Sequence, residues 1–215
     1  MGRLLLVRHG ESIWNRDRIV QGQAGPGLTD RGHEQSSHVG QWLAHEVDGD
    51  VAFLSSDLVR CRETAAPFAR LLGREPELDE ALRERHFGHW QGVGREELER
   101  RDPTLWERFR AQQDVIGEAG GESTPVLVDR VVPRLRELAD RALVSVVVTH
   151  GGPVWHGTHA LLGVEEGVLG PVSNAGVTVL DVTADGHVSL LAWNQVGHLP
   201  PTLRTTWPAP RVTTA

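Results

Sequence analysis

Two histidines each close an apolar run and are each followed by glycine: Leu4-Leu5-Leu6-Val7-Arg8-His9-Gly10 near the start, and Val146-Val147-Val148-Thr149-His150-Gly151-Gly152 further on. A neutral imidazole is nucleophilic near neutrality without a base to strip a proton first, so His9 is suited to accept a phosphoryl group. Attack on phosphorus shifts negative charge onto the equatorial oxygens, and such a site needs fixed cationic donors aimed at them. Arg8 and Arg60 offer planar guanidinium forks that stay charged. Glycine after each histidine lets the backbone come close to an anion, and a helix starting there points free N–H groups at it. Taken alone, Arg8-His9-Gly10 reads equally well as a histidine satisfying hydrogen bonds at a strand end. Glu84, between Arg83 and Arg85, reads alone as a solvated charge.

The pattern around these residues predicts strands that feed helices. An apolar run over 3–8 is followed by a polar, glycine-rich stretch and by Thr29-Asp30, a helix start leading to about Val47. Val51-Ala52-Phe53-Leu54 predicts a second strand, and Leu58, Cys61, Ala65, Phe68, Ala69 and Leu72 recur at helical spacing until Gly73 stops them. Residues 78–92 read as irregular. Helices are expected over 94–111, as a cap, and over 124–142, with a Gly117–Gly121 loop between. Leu143–Val148 is the most strand-like run, with Pro153 suited to the first turn of a following helix. Two last strands, near 176–183 and 187–193, meet at Asp185-Gly186. Alternating strands and helices imply an α/β fold: a three-layer α/β/α sandwich on a mostly parallel sheet, with ligands at the carboxyl ends of the strands. Three such ends carry Arg8-His9-Gly10, Ser55-Ser56-Asp57 leading to Arg60, and Thr149-His150-Gly151. One domain is expected over 1–199, with a tail over 200–215 that contains four prolines and lies outside the packed core.

The stretch Leu5–Ser12 with Asn15, then Leu28-Thr29, Arg31-Gly32 and Gln35, resembles the opening of the histidine phosphatase superfamily, also called phosphoglycerate mutase-like proteins. Ser55-Ser56-Asp57-Leu58 with Arg60 and Thr64-Ala65 resembles its second arginine motif. Leu82, Glu84, Gly88 and Trp90-Gln91-Gly92 resemble its catalytic-acid segment. Gly121-Glu122-Ser123 and Val147–Gly152 resemble its later motifs, so the likeness runs through nearly the whole chain in order. The resemblance implies that His9 accepts the phosphoryl group, that Arg8, Arg60 and His150 form the phosphate pocket, and that Glu84 is the proton donor. Asn15, Gln21, Gly22, Arg85 and Gly151 are then expected to touch the substrate, a small-molecule phosphate monoester such as a sugar phosphate or a phosphorylated acid. No cofactor and no metal are expected. Within the superfamily the short interval between Glu84 and His150, without the Trp-Arg-Arg stretch of the mutases, points to the phosphatase branch. Glu84-Arg85-His86-Phe87-Gly88 is nevertheless close to the mutase form, so mutase-type transfer stays an alternative, as does a silent phosphometabolite-binding module.

Composition narrows the field further. All 22 basic residues are arginine and there is no tyrosine, which removes lysine Schiff bases, the P-loop lysine and tyrosine nucleophiles. A net charge of −7 with scattered arginines offers nothing to a nucleic-acid backbone. Leu4–Val7 is too short for a membrane span or a signal core, so no membrane partner and no export are expected. The single cysteine, Cys61, fits a reducing cytoplasm and reads as a small core residue, since Pro67 stands where a cysteine-dependent phosphatase would place its arginine. Asp48-Gly49-Asp50 follows a helix rather than a strand, unlike an aspartyl-phosphate motif. His86/His89 and His156/His159 have helical metal spacing but no matching carboxylate or thiolate set. Trp14, Phe87 and Trp90 are candidates to line the pocket, and Arg85, Arg95, Arg100 and Arg101 to favour an anionic substrate. A homodimer is left open.

Overall fold

The computed structural model describes residues 2–205. Strand β1 (Gly2–Arg8) is followed by a short helix, α1 (Ile13–Arg16), then by α2 (Asp30–Glu46), β2 (Val51–Ser55), α3 (Val59–Leu72) and a two-residue strand, β3 (Glu77–Leu78). After two 3-10 turns come α4 (Arg95–Arg101), α5 (Pro103–Arg110), α6 (Thr124–Arg141), β4 (Val144–Thr149), α7 (Gly151–Leu162), β5 (Val177–Val182) and β6 (Val188–Gln195). The sheet order is β3-β2-β4-β1-β5-β6. The first four strands pair in parallel, while β5 runs antiparallel to β1 and β6 antiparallel to β5.

Alternation along β1 explains the layers. Leu5 and Val7 face one side, where they join Val39, Leu43, Phe53, Cys61, Phe68 and Val146 under α2 and α3. Leu4 and Leu6 face the other, packed with Leu127, Val131, Leu135, Leu138, Val154 and Leu180 under α6 and α7. Each fully buried leucine contributes about 2 kcal/mol relative to exposure, so the sheet is held from both faces. A third cluster, Trp90, Leu98, Trp106, Val115, Ile116 and Ala119, forms the core of the cap.

Several expectations need correction. The cap helix expected over 94–111 is two helices, α4 and α5, broken at Asp102, whose backbone (φ −140°, ψ 53°) is not helical. Pro103 is the cause: its ring disfavours helical geometry in the residue before it and suits the first position of the next helix. Helix α1 was not anticipated; it is nucleated by a capping box in which Ser12 receives the Asn15 amide and Asn15 reaches back to the Ser12 amide. The tail expected to leave the core at residue 200 stays on it through the described part. Leu203 is buried and its carbonyl accepts from Gln35 Nε2 at 2.7 Å on α2, because the Pro201–Leu203 turn lays that leucine into the α2 side of the core. The rest of the tail, 206–215, lies outside the described residues.

Candidate active site

The carboxyl ends of β1, β2 and β4 are tied together by backbone: His9 N–H donates to the Thr149 carbonyl and Ser56 N–H to the Val148 carbonyl, both at 2.9 Å. This crosswise tie places His9, Ser56 and His150 around one point. Gly10 leaves no room for a side chain, since a Cβ there would lie 2.6 Å from the Gly32 carbonyl.

His9 is 2% exposed and its Nδ1 lies 2.7 Å from the Gly10 carbonyl. A carbonyl only accepts, so Nδ1 carries the proton and Nε2 carries the lone pair. Burial, then the charges of Arg60 and Arg8, hold His9 well below the usual imidazole range, so it is neutral.

Arg60, at the start of α3, is almost fully buried. Its Nε donates to His150 Nδ1 (3.2 Å), Nη1 to the Ala24 carbonyl (3.0 Å) and Nη2 to the Gly22 carbonyl (2.6 Å). Each terminal nitrogen keeps a second N–H to spend. Gly22 thus enters the site through its carbonyl. Arg8 donates from Nη1 to the Val172 carbonyl, while its Nε is buried with no hydrogen-bond partner among the described residues. Such a donor costs about 1–3 kcal/mol unless an acceptor arrives. Burial, with further depression by Arg60 and Arg95 and partial relief from Glu84, pushes the Arg8 guanidinium down to about 10.

His150 uses both nitrogens within the protein. Because Nδ1 accepts from Arg60, Nε2 bears the proton and donates to Ser56 Oγ at 2.9 Å. Burial first, then Arg60, His9 and Arg8, keeps it neutral. Its ring stands edge-on to His9 at 5.3 Å. Cys61, buried as expected, is also part of this wall: Sγ lies 3.3 Å from His150 Nε2 and donates to the Thr149 carbonyl at 3.3 Å. Burial drives its thiol strongly upward, so it stays protonated.

The Glu84 carboxylate accepts from Arg85 N–H (2.8 Å) and Gly152 N–H (3.1 Å), which seats it at the start of α7. Arg130 fixes its loop by donating to the Ala81 and Arg83 carbonyls at 2.8 and 3.0 Å, and Glu122 holds Arg130 and the His86 amide.

Glu84 faces the same cavity as His9, about 340 Å³, lined also by Arg8, Asn15, Gln21, Gly22 and Arg60. Asn15 Oδ1 accepts from Ser12 N–H and Asn174 Nδ2 at 3.2 Å, leaving its amide hydrogens as the donors available to the cavity. Gln21 Oε1 accepts from Ser12 Oγ at 2.7 Å. Two further residues expected to touch the substrate line the adjoining cavity. Arg85 is buried against Asp114 and the Glu122 carbonyl, and Gly151 packs beneath Arg8; both line a neighbouring cavity of about 620 Å³ that meets the first at Arg8. Of the aromatic candidates Phe87 lines the His9 cavity, whereas Trp90 is buried in the cap core and Trp14 packs on Gly25. Arg95 and Arg110 also face the cavity, with Trp106 and Phe109 beside them. Sequence offered no way to choose Arg95 from its neighbours in a charge-rich helix. Among the described residues no three His, Cys, Asp or Glu side chains gather as a metal would require; His156 pairs with Glu166 and His159 Nδ1 with the Trp155 carbonyl.

The family model of the histidine phosphatase superfamily (branch 1) matches residues 4–196. A metal-independent phosphoserine phosphatase of Arabidopsis thaliana is 33% identical over 91% of the chain and 82% of its own length. A glucosyl-3-phosphoglycerate phosphatase of Mycolicibacterium vanbaalenii is 34% identical over 80% of the chain and 81% of its own length. The solved structure of a mycobacterial glucosyl-3-phosphoglycerate phosphatase with VO3 superimposes with a TM-score of 0.80 at 28% identity, covering 90% of this chain and 99% of that one. Relatives of similar identity bear mutase names as well.

Proposed function

Because the chain belongs to the histidine phosphatase superfamily (branch 1), we propose that it hydrolyses small-molecule phosphate monoesters through a phosphohistidine on His9, as a phosphoric monoester hydrolase of the histidine acid phosphatase type. The observation that carries this reading is the tautomer of His9: with Nδ1 bound to Gly10, Nε2 offers its lone pair beside two arginines that keep N–H groups in reserve.

In the mechanism the phosphoryl oxygens are received by Arg8 Nε and by the remaining N–H groups of Arg60, with Asn15 adding an amide donor. His9 Nε2 attacks phosphorus as the ester oxygen departs, and Glu84 gives that oxygen a proton. Glu84, now ionised, takes a proton from the water that attacks the phosphohistidine, and inorganic phosphate leaves. His150 acts by orientation: it holds Arg60 through Nδ1 and is itself held by Ser56. Arg85 supports the acid loop from outside the cavity.

Arginines supply the positive charge that a metal supplies in other phosphoryl-transfer sites, so turnover is expected to survive chelation by EDTA. No helix among the described residues is long and apolar enough to cross a membrane; the cytoplasm is proposed on the single reduced cysteine.

The test is trapping. Wild-type protein quenched with labelled ester should carry an alkali-stable, acid-labile adduct, and His9→Ala should carry none and release no phosphate while remaining folded. Glu84→Gln should bind phosphate but lose about 10²–10⁴-fold in turnover of an alkyl ester. Normal phosphate release by His9→Ala ends the covalent mechanism. Transfer of the label to a second alcohol in preference to water would favour the mutase alternative.

A further inference from the structure

Strand β6 is irregular at one place. Val177 pairs with Gln195 and Val179 with Ala192, so Trp193 and Asn194 together stand opposite Thr178, a β-bulge in which Asn194 takes the left-handed conformation at φ 46°. Asparagine tolerates that conformation better than most side chains, yet it is unfavourable and persists only where surrounding contacts enforce it. Bulges re-aim side chains, and here the re-aimed amide grips a neighbouring segment. Asn194 Nδ2 donates to the Pro171 carbonyl at 3.1 Å and to Ser173 Oγ at 3.2 Å, while Oδ1 accepts from Ser173 N–H at 2.7 Å. Gly176 makes room for it, since a Cβ there would lie 2.3 Å from Asn194 Oδ1. One side chain therefore holds the backbone on both sides of Val172.

Val172 is where this clamp meets the chemistry. Its carbonyl accepts from Arg8 Nη1, the single protein hydrogen bond of that guanidinium among the described residues. A guanidinium is planar, so the direction of Nη1 sets that of Nε, the buried donor without a protein partner. The chain leading to Val172 is exposed from Gly163 to Pro171 except at Leu169, whose carbonyl accepts from Trp155 Nε1 at 3.1 Å. Beyond Val172, Ala175 N–H donates to the Arg8 carbonyl and Asn174 Nδ2 to the His9 carbonyl, contacts that fix the backbone of β1 and leave the guanidinium free to turn. Asn194 itself lines neither cavity. We propose that Asn194 is a positioning residue of the phosphoryl pocket: it fixes the Val172 carbonyl, and through that carbonyl it aims Arg8 Nε at the phosphoryl group. What Arg8 receives rests on the phosphatase reading above.

The experiment uses Asn194→Gly, because glycine adopts a positive φ freely and so keeps the bulge while removing the amide. Affinity for inorganic phosphate, read by phosphorus NMR titration, should fall about tenfold, the lower end for a hydrogen bond to a charged group, and kcat/KM for p-nitrophenyl phosphate should fall with it. In an Arg8→Gln background the same substitution should change phosphate affinity by less than about twofold, because residues acting through one another are not additive. Unchanged affinity in Asn194→Gly, or equal losses in both backgrounds, overturns the proposal and makes Asn194 a structural residue. The aim of the guanidinium is also read without any ligand from the Arg8 Nε–H signal, assigned by its absence in Arg8→Gln. In Asn194→Gly that hydrogen should exchange with water about tenfold faster, as a buried donor does when its site opens locally, and an unchanged rate overturns the proposal. Wild type that hydrolyses neither an alkyl ester nor p-nitrophenyl phosphate would remove the phosphatase reading, while the Nε–H comparison still decides Asn194.

Discussion

At the scale of single residues, reactivity here is set by which hydrogen each ring nitrogen keeps. His9 donates its Nδ1–H to the Gly10 carbonyl and His150 its Nε2–H to Ser56 Oγ, and neither ring has a carboxylate partner to favour the charged form. Both folded-state pKa values are depressed, so the unfolded chain binds protons as pH falls through the ordinary imidazole value of 6.5 while the folded chain does not. The stability these histidines contribute is complete above that value and drains away below it, until each folded pKa is passed. In NMR spectra assigned with His9→Ala and His150→Gln, neither ring should titrate between pH 8 and 6; a His9 signal with an ordinary midpoint would contradict the neutral nucleophile. Sequence reading reached His9, Arg8, Arg60 and Glu84 because each sits at a strand end or in a motif with a chemical reason for its residue type. It did not reach the tautomers, or the contact of Cys61 with His150, because these depend on how each ring turns, toward the neighbouring Gly10 carbonyl for His9 and between α3 and the end of β2 for His150. The same distance separates Arg85 from its expected role: adjacency to Glu84 in sequence does not say which way a guanidinium turns, and Asp114 turns it away.

At the scale of elements, α7 matters through its first turn. Gly152 donates to Glu84, and a Cβ there would come within 2.1 Å of Glu84 Oε1. Gly152→Ala should therefore displace the carboxylate and lower kcat on alkyl esters by at least tenfold, a share of the range for acid–base catalysis. Affinity for inorganic phosphate, held by Arg8 and Arg60, should change little; comparable loss of phosphate affinity would mean that the substitution disrupts the strand ends as a whole. The main helices were legible from periodicity and caps: Thr29 receives the Gly32 amide, and Gly73 closes α3 in the left-handed conformation. The break at Asp102-Pro103 was not read, although its signal is local, because the apolar spacing of Leu98, Trp106 and Phe109 runs across it. Several motif residues prove to be supports rather than contacts. Glu11 accepts from Thr29 and Arg31, and its amide donates to Gln35, so the opening motif clamps the loop after β1 onto α2.

For the whole molecule, the sheet draws stability from both faces, and the segment after β6 belongs to one of them. Leu203 lies among Leu199 and the α2 side of the core, and Asn174, whose Nδ2 donates to the His9 carbonyl, is reached by Thr205 Oγ1. Leu203→Ala should lower unfolding free energy by about 2 kcal/mol, the lower end for a buried leucine, with kcat nearly unchanged in the folded fraction. A change in stability below about 0.5 kcal/mol in urea titration would show that the turn rests on the surface. Composition had suggested otherwise, since proline-rich ends are commonly loose, and the single apolar residue that anchors this one carries little weight in a composition. The cap keeps its own interior of Trp90, Leu98, Trp106, Val115, Ile116 and Ala119, separate from the two cores that hold the strand ends. Substitutions in bodies packed apart combine nearly additively. A lineage carrying this architecture can therefore let the cap drift toward a new metabolite while the chemistry on the sheet is inherited intact, and chimaeras that exchange the cap offer a direct way to retrace such a history in the laboratory.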